Sequence, residues 1–488
     1  MYLGIDIGTS AVKAVIVDDR GVVVGESRVS LSISRPHPLW SEQDPTEWWA
    51  ATNNAVTLLD RGLRAKVRSV GLSGQMHGAV LLNKARKVIR PAILWNDGRC
   101  EAECAELLER EPRAHDLTGN LIMPGFTAPK LVWVKKNEPE IWDQLDLVLL
   151  PKDYIRLRMT GEAGTDLSDA SGTLWVNVAE RKWSDEMLAA CDLTEANMPA
   201  LFDGNAVTGI LRDELAEAWG MPRAPVAAGG GDNAAGAVGV GVIRDGDALL
   251  SLGTSGVLFA ATGAFRPNVQ GTVHAFCHCL PNRWHQMSVM LNAASCLDWV
   301  VNLTRAEGVG ELLKSLEDAG RFDTPEIFLP YLTGERTPHN DPYAKGVYFG
   351  LTSTTDADSL AIATLQGVAM ALADGMDVLT EAGTHFDSIT VIGGGARSAF
   401  WGRTLAAALN KPLVYREGAD FGPSYGAARL ARLALNEDSI EDVCKAPPIV
   451  QVIEPDLHLS DVINTKRPVF KSLYKAVQPL FKEEHHAH

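Results

Sequence analysis

One short pattern occurs twice in this chain. "YLGIDIGTSAVKAVIVD" starts at Tyr2, and "ALLSLGTSGVLFAATG" starts at Ala248. Each reads as an apolar β-rich run, a Gly-Thr-Ser turn and a second apolar run, the pattern of a strand–turn–strand unit. At 488 residues the chain is too long for one core of ordinary size. Two copies of the same unit so far apart predict two α/β domains that begin alike, 1–244 and 245–488.

The stretches between the two units alternate in the same sense. A helix pattern around Trp48-Trp49 precedes the strand "VRSVGLSG", and "APVAAGGGDNAAGAVG" reads as a strand that breaks into glycines and starts a helix. The second half carries a long helix pattern from Ser359 to Glu381, then the strand "SITVIGGGA", then a helix from about Ser398. Ser359 is expected to cap its helix.

The turns suggest chemistry. Glycine lets a backbone approach a ligand closely, and successive amides in a tight turn make an anion-binding concavity. Gly8, Thr9 and Ser10, with Gly253, Thr254 and Ser255, are therefore candidates to grip a polyphosphate from two sides. The two copies differ in one place: Asp6 ends the first strand where the second has Ser251. A carboxylate beside a phosphate turn is repulsive unless a cation lies between them, so Asp6 implies Mg²⁺. Lys13, on the next strand, is a candidate for the β- or γ-phosphate, with a solvated strand lysine as the plain alternative.

In "VIGGGARS", Gly393, Gly394 and Gly395 offer bare backbone at a strand end, and Ala396 and Ser398 lead into a helix N-terminus. These are the adenosine candidates for ATP. Asp232 follows three glycines where a strand should end, a position that in open α/β sheets faces the ligand crevice. There it can take the proton from an alcohol in phosphoryl transfer. The simpler role is a helix N-cap. His77 in "GQMHG" and Trp95, Asp97 and Arg99 in "LWNDGR" offer the mixture of aromatic face and polar groups that a sugar requires.

Composition narrows the class. A net charge of −16 and a pI near 5.2 argue against partners such as nucleic acid or an anionic membrane. The most apolar stretch, Ala224 to Ile243, holds Asp232, Asn233 and six glycines, which makes a poor membrane span. No secretory leader is expected, since the N-terminus has neither a basic start nor a long apolar core. Seven irregularly spaced cysteines suggest reduced thiols and a cytoplasmic location. The local cluster "HAFCHC" has no second ligand pair, and strand alternation would separate His278 from Cys277 and Cys279. There is no GxxxxGK[ST] loop and no HRD or DFG set, which removes P-loop enzymes and protein kinases.

Taken together, these segments resemble the FGGY family of carbohydrate kinases. The resemblance runs through "SRPHPLWSEQDP", "GQMHGAVLL", "AILWNDGR", "GFTAPKLVWVKKN", "LLPKDY", "GGGDNAAGAVG", "LSLGTSG", "YLTGERTPHNDP", "GVYFGL" and "IGGGARS", over residues 1 to about 435. It departs from the family pattern at Ser359, and the terminal "EEHHAH" matches nothing in it. The resemblance implies two actin-like, ribonuclease H-like ATPase domains with a catalytic cleft between them, using ATP and Mg²⁺. It implies Asp232 as general base, and Asp6 with Asp232 as the carboxylates at the metal. Met76, His77, Asp232 and Asn233 would lie at the sugar, and Thr254 with Gly393–Gly395 at the nucleotide. "QMHG" and "GERTPH" resemble members acting on D-xylulose rather than glycerol, so a ketose is the expected acceptor. Ribulose, gluconate and glycerol are the alternative acceptors within the family, and an actin- or chaperone-like ATPase is the alternative outside it. The expected partners are a small sugar and ATP; a homodimer is left open.

Overall fold

The structure, a computed structural model, describes residues 1–418 and 421–486. Strands β1 (Tyr2–Ile7), β2 (Ala11–Val17), β3 (Val23–Ser30), β4 (Ser69–Gly74), β5 (Val207–Ile210), β6 (Pro225–Ala227) and β7 (Gly230–Gly231) form one seven-stranded sheet. Its order is β5-β6-β4-β1-β2-β3, with β7 also paired to β4. A second seven-stranded sheet holds β8 (Ala248–Leu252), β9 (Gly256–Thr262), β10 (His274–Cys277), β11 (Trp284–Met290), β12 (Ile389–Ile392), β13 (Leu413–Arg416) and β14 (Ile449–Ile453), in the order β10-β11-β9-β8-β12-β13-β14.

The two sheets repeat one plan. In both, a run of antiparallel strands, three in the first sheet and four in the second, leads to a parallel neighbour, a second parallel strand and an antiparallel edge. Thus β1 corresponds to β8, β2 to β9, β3 to β11, β4 to β12, β6 to β13 and β5 to β14. The echoed GTS turns are the β1–β2 and β8–β9 connections, so the repeat seen in the sequence is a repeat of architecture. The edge strand comes from a different point in each half, before β6 but after β13.

Burial follows from what covers each strand. β1 is buried along nearly its whole length, as a strand packed on both faces must be, and it reads as a continuous apolar run. β3, two places further out, alternates half-buried and exposed residues. One layer over the sheet is α1 (Pro45–Leu58), started by Asp44, whose side chain accepts from the Thr46 amide, and by Pro45 in its first turn. The opposite layer is α2 (Asp232–Val240) with α4 (Pro423–Leu433), described below.

The central helix of the second half is α3 (Ala357–Glu381), buried over most of its length. It is the one helix among the described residues long and apolar enough to span a membrane, and its apolar surface is spent on the core. Its cap is Asp356, which accepts from the Ser359 amide and hydroxyl at 2.8 and 2.7 Å. Ser359 is therefore inside the first turn, not at the cap, because the aspartate three residues earlier takes that role.

α4 belongs to the second half in sequence but packs on the first sheet. A Cβ at Gly4 would lie 2.0 Å from the Ser424 carbonyl oxygen, and one at Gly71 would lie 2.0 Å from that of Ala427. A Cβ at Gly426 would lie 1.7 Å from the Ala235 carbonyl oxygen. These three positions admit only glycine, so that α4 can touch β1, β4 and α2 backbone to backbone. All seven cysteines are buried and free.

Candidate active site

The parallel registers bring the candidate residues to one edge of each sheet. Asp6 on β1 pairs with Ser73 on β4, and Gly230 on β7 pairs with that same Ser73 from the other side. The β1 turn, the segment after β4 that carries Met76 and His77, and the start of α2 at Asp232 therefore leave the sheet together. In the second sheet Ser251 pairs with Ile392, which places the Gly253–Ser255 turn beside Gly393–Gly395.

Asp232 is the first residue of α2, and Gly231 occupies the cap position, so Asp232 is not the N-cap. Its Oδ1 accepts from the Asn233 amide at 2.7 Å and from Asn233 Nδ2 at 2.9 Å. Its Oδ2 takes no hydrogen bond among the described residues. Burial, then the negative charge of Asp6, pushes its pKa up to about 7. A carboxylate with one oxygen oriented, the other open and a pKa near neutrality is suited to accept a proton from an alcohol.

Asp6 is raised to about 6 by burial, with the Ser73 hydroxyl and the Lys13 ammonium offsetting part of the effect. Its Oδ1 is buried without a hydrogen-bond partner among the described residues. Two neighbouring carboxylates, of which Asp6 raises the pKa of the other and carries an orphaned oxygen, fit a hard divalent cation held largely through its own waters. Lys13 faces Asp6 directly across the β1–β2 pair. Its Nζ donates to the Phe421 carbonyl at 3.4 Å and lies 5.4 Å from the centroid of that ring. Asp6, Gly8, Ser10 and Lys13 line a common depression of about 550 Å³.

Met76 is buried against Gly231, where a Cβ would stand 3.0 Å from its sulfur. His77 is held at φ +68°, the left-handed region that few non-glycine residues adopt. Its Nδ1 lies 2.7 Å from the Gly172 carbonyl oxygen. A carbonyl has no proton to give, so Nδ1 donates and Nε2 is left as an acceptor. Burial holds the pKa of His77 down to about 3, which keeps the ring neutral. Its carbonyl oxygen receives Thr127 Oγ1 at 3.1 Å and Lys130 Nζ at 2.8 Å, and Phe126 packs edge-on to the ring at 4.9 Å.

Several residues expected at a ligand are committed elsewhere. Asp97 and Arg99 form an interior pair with side chains 0% and 1% exposed. Asp97 also accepts from the Ser41 amide, and Arg99 reaches Glu42 at 2.8 Å and stacks 3.6 Å over Trp40. Their charges answer one another in the interior. Trp95 spends its indole N–H on Thr9 Oγ1 at 3.0 Å, and the Thr9 hydroxyl proton goes to Gln75 at 2.9 Å. Thr9 therefore braces the turn and has no proton for a phosphate. Ser398 caps the helix Ala399–Leu409, accepting from the Trp401 amide.

The Gly253–Ser255 turn differs. Thr254 is exposed, its hydroxyl has no partner among the described residues, and its carbonyl oxygen takes the Ala293 amide at 2.9 Å. Gly393 has φ +94°, and a Cβ there would lie 2.7 Å from the Leu252 carbonyl oxygen. A Cβ at Gly395 would lie 2.8 Å from the Leu252 side chain, whereas one at Gly394 would meet nothing within 4 Å. Only Gly394 opens outward. The side chain of Ala396 lies outside the described residues, as do the side chains of "EEHHAH".

Three features were not singled out from the sequence. Gln75 joins Thr9 to Gln43, whose amide holds the Thr9 carbonyl at 2.8 Å. Lys130 is buried between the His77 and Gly125 carbonyls, both at 2.8 Å, with its pKa pressed down to about 7 by burial. Both residues lie inside motifs quoted above, "GQMHG" and "GFTAPKLVWV", and their polarity amid apolar neighbours was the available signal. The third is a buried charge cluster under Asp232. Lys152 Nζ meets Asp153, Asp166 and Asp169 at 2.6, 2.9 and 3.1 Å with every side chain fully buried. Ser168 links it to the site, donating to Asp166 and accepting from the Gly231 amide at 3.1 Å.

Known proteins resemble this chain in sequence and fold. Residues 1–239 match the N-terminal domain of the FGGY family of carbohydrate kinases, and residues 248–435 match its C-terminal domain. A xylulose kinase of Escherichia coli (strain K12) is 54% identical over 482 residues, covering 98% of this chain and 100% of that protein. The solved structure of a xyloylose kinase from Brucella ovis superposes with a TM-score of 0.94 at 45% identity, covering 98% of this chain and 99% of that one. That of a xylulose kinase from Rhodospirillum rubrum gives 0.90 at 26% identity, covering 99% of each. The chain, with its duplicated actin-like fold, belongs to the FGGY family of carbohydrate kinases.

Proposed function

We propose that the chain transfers the terminal phosphoryl group of ATP to the 5-hydroxyl of D-xylulose, giving ADP and D-xylulose 5-phosphate. The observation that carries this reading is the Asp232 carboxylate, oriented by Asn233, open on Oδ2 and set beside Met76 and His77. The xylulose kinases to which the chain is similar along nearly its whole length support the same acceptor.

In this reading Asp232 accepts the proton of the 5-hydroxyl and aims its oxygen at the phosphoryl group, a role worth about 10²–10⁴ in rate. His77, neutral and with Nε2 accepting, takes a hydrogen bond from another sugar hydroxyl. Asp6 and Asp232 would hold Mg²⁺, with the orphaned Asp6 Oδ1 as the readiest protein oxygen. When bound, that ion neutralises charge on the transferring group. The amides of Gly8–Ser10 and Gly253–Ser255, the free Thr254 hydroxyl and Lys13 cradle the phosphates, and Gly394 meets the adenosine. Residues 1–244 then supply the sugar and metal side, and residues 245–488 the nucleotide side. The buried free thiols and acidic surface suit a cytoplasmic enzyme of small molecules, without nucleic-acid or membrane partners.

A sugar panel with coupled detection of ADP tests the proposal. Release should be strong with D-xylulose and at background with glycerol, D-gluconate and D-ribulose. Faster turnover of any of these than of xylulose would overturn the substrate assignment. ADP release indifferent to every sugar would overturn the kinase reading.

A further inference from the structure

Arg336 lies in the loop after the strand Ile327–Pro330, in the second half of the chain. Its flanks are fixed. Glu335 accepts from the Leu291 and Arg336 amides, both at 2.8 Å. Thr337 exchanges hydrogen bonds with Val289, amide to carbonyl at 3.0 Å and amide to hydroxyl at 3.0 Å, and donates to the Thr272 carbonyl at 3.0 Å. The arginine side chain thus leaves a firmly anchored backbone.

It points at the other half. A Cβ at Gly125 would stand 3.2 Å from Arg336 Nη2 and 2.8 Å from the Trp95 carbonyl oxygen. The Gly125 carbonyl shares Lys130 with that of His77, and Phe126 packs on both His77 and His274, at 4.9 and 5.4 Å. Arg336 therefore stands at the same wall as His77.

The guanidinium is half-buried, yet it has no hydrogen bond, ion pair or ring contact among the described residues. Burial pushes Glu335, its acidic neighbour, up to about 8, so at neutral pH that group is mostly protonated and offers little countercharge. Leaving a partly desolvated cation without acceptors is unfavourable unless a ligand supplies them. A guanidinium fork matches two oxygens on one side of a planar group. His77 Nε2 supplies an acceptor at the same wall, so the pair can receive both ends of a hydroxyl. Arg336 acts electrostatically on His77, His274 and Lys130, whereas Asp6 is the charge acting on Asp232. It is thus nearer the His77 end of the site than the reacting end.

We propose that Arg336 is a specificity-determining residue that binds the carbonyl and adjoining hydroxyl of the ketose, at the end of the sugar opposite the hydroxyl held by Asp232. It brings a charged side chain of the second half to the wall of His77, where His274 and Phe276 of that half also pack. This rests on the proposed xylulose kinase activity and adds to it which residue reads the keto end.

The test compares D-xylulose with xylitol, the same carbon chain with the carbonyl reduced, in the parent, Arg336→Met and Arg336→Lys. The parent should favour xylulose strongly. In R336M the KM for xylulose should rise at least tenfold with a much smaller change in kcat, and the xylulose-to-xylitol ratio of kcat/KM should collapse. R336K, which keeps the charge but loses the fork, should fall between. ATP affinity and Tm, measured alongside, separate this from misfolding; if R336M does not fold, R336K alone decides by the same ratio. A xylulose KM within twofold of the parent, or an unchanged ratio, in a folded variant overturns the proposal. A parent inactive on xylulose overturns the underlying reading instead.

Discussion

Asp6 pairs with Ser73 from one side and Gly230, two residues before Asp232, pairs with it from the other, and the charge of Asp6 is, after burial, the second cause of the raised pKa of Asp232. If Asp232 is the proton acceptor, kcat/KM for the sugar should rise with pH along a limb near 7, where its carboxyl ionises. Asp6→Asn removes the repelling charge, so the limb should move to lower pH even though absolute activity falls. Profiles taken at one fixed Mg²⁺ concentration make the comparison. A limb that stays in place in D6N would remove Asp6 as a cause.

The same burial has a signature in stability. A carboxyl whose pKa is raised on folding binds its proton more tightly in the native state. Its penalty is absent below the unfolded value of 3.8, grows as pH rises, and is complete above the folded value of about 6. For Asp6 that shift corresponds to at most about 3 kcal/mol at 1.36 kcal/mol per pH unit. Asp6→Asn should therefore raise Tm at pH 8 relative to the parent and have little effect at pH 4. Thermal melts of metal-free protein at the two values are the measurement, and equal effects at both would count against this account.

Asp232→Asn keeps the shape and the hydrogen bond from the Asn233 amide but cannot accept a proton. We expect kcat to fall about 10²–10⁴-fold, with ATP binding retained. Single-turnover phosphorylation with calorimetric ATP titration checks both. More than a few per cent of parent activity would remove Asp232 from the role of base.

What could be read from the sequence was whatever depends on local pattern. The paired GTS turns, the glycines before Asp232 and those after Val391 marked the duplicated plan because glycine at a strand end has a local cause. That Arg99 and Thr9 are engaged within the protein could not be seen, since the partners of Arg99, Glu42 and Trp40, and that of Thr9, Gln75, lie 57 or more residues away in sequence. The "LWNDGR" segment looked like a sugar site for the very reason that it forms a buried ion pair: it mixes aromatic and charged groups. Asp356 was missed as the cap of the long helix because serine at 359 also suits a helix start. The packing of 423–433 on the first sheet depends on Gly4, Gly71 and Gly426, whose need for glycine is set by contacts across the two halves.

Ser168 is a positioning residue on this structure, because its hydroxyl accepts from the Gly231 amide, one residue before Asp232. Ser168→Ala leaves that buried amide without a partner, at a cost of about 1–3 kcal/mol. Since the strain falls on the turn that aims Asp232, kcat should drop about tenfold while the KM for ATP stays near the parent. Ser168→Thr, which restores a hydroxyl, should recover part of kcat. Loss of stability with unchanged kcat would reduce Ser168 to a packing role.

Gly172 faces His77 so closely that a Cβ would lie 2.5 Å from its Nδ1 and Cε1. The φ of Gly172 is −74°, which any residue can adopt, so the objection to a side chain there is steric alone. Gly172→Ala should displace the imidazole, break its 2.7 Å bond to the Gly172 carbonyl and release the tautomer that leaves Nε2 accepting. The expected kinetic effect is a rise of about tenfold or more in the KM for the sugar, with ATP binding near normal. A second readout separates a moved ring from a general loss of fold. In the parent, burial holds the His77 pKa down to about 3, and an imidazole pushed toward solvent should titrate near the ordinary value of about 6.5. NMR titration of the His77 ring in both proteins measures this. An unshifted His77 in a folded G172A with the parent's sugar KM would mean that the ring is not held in place by this contact.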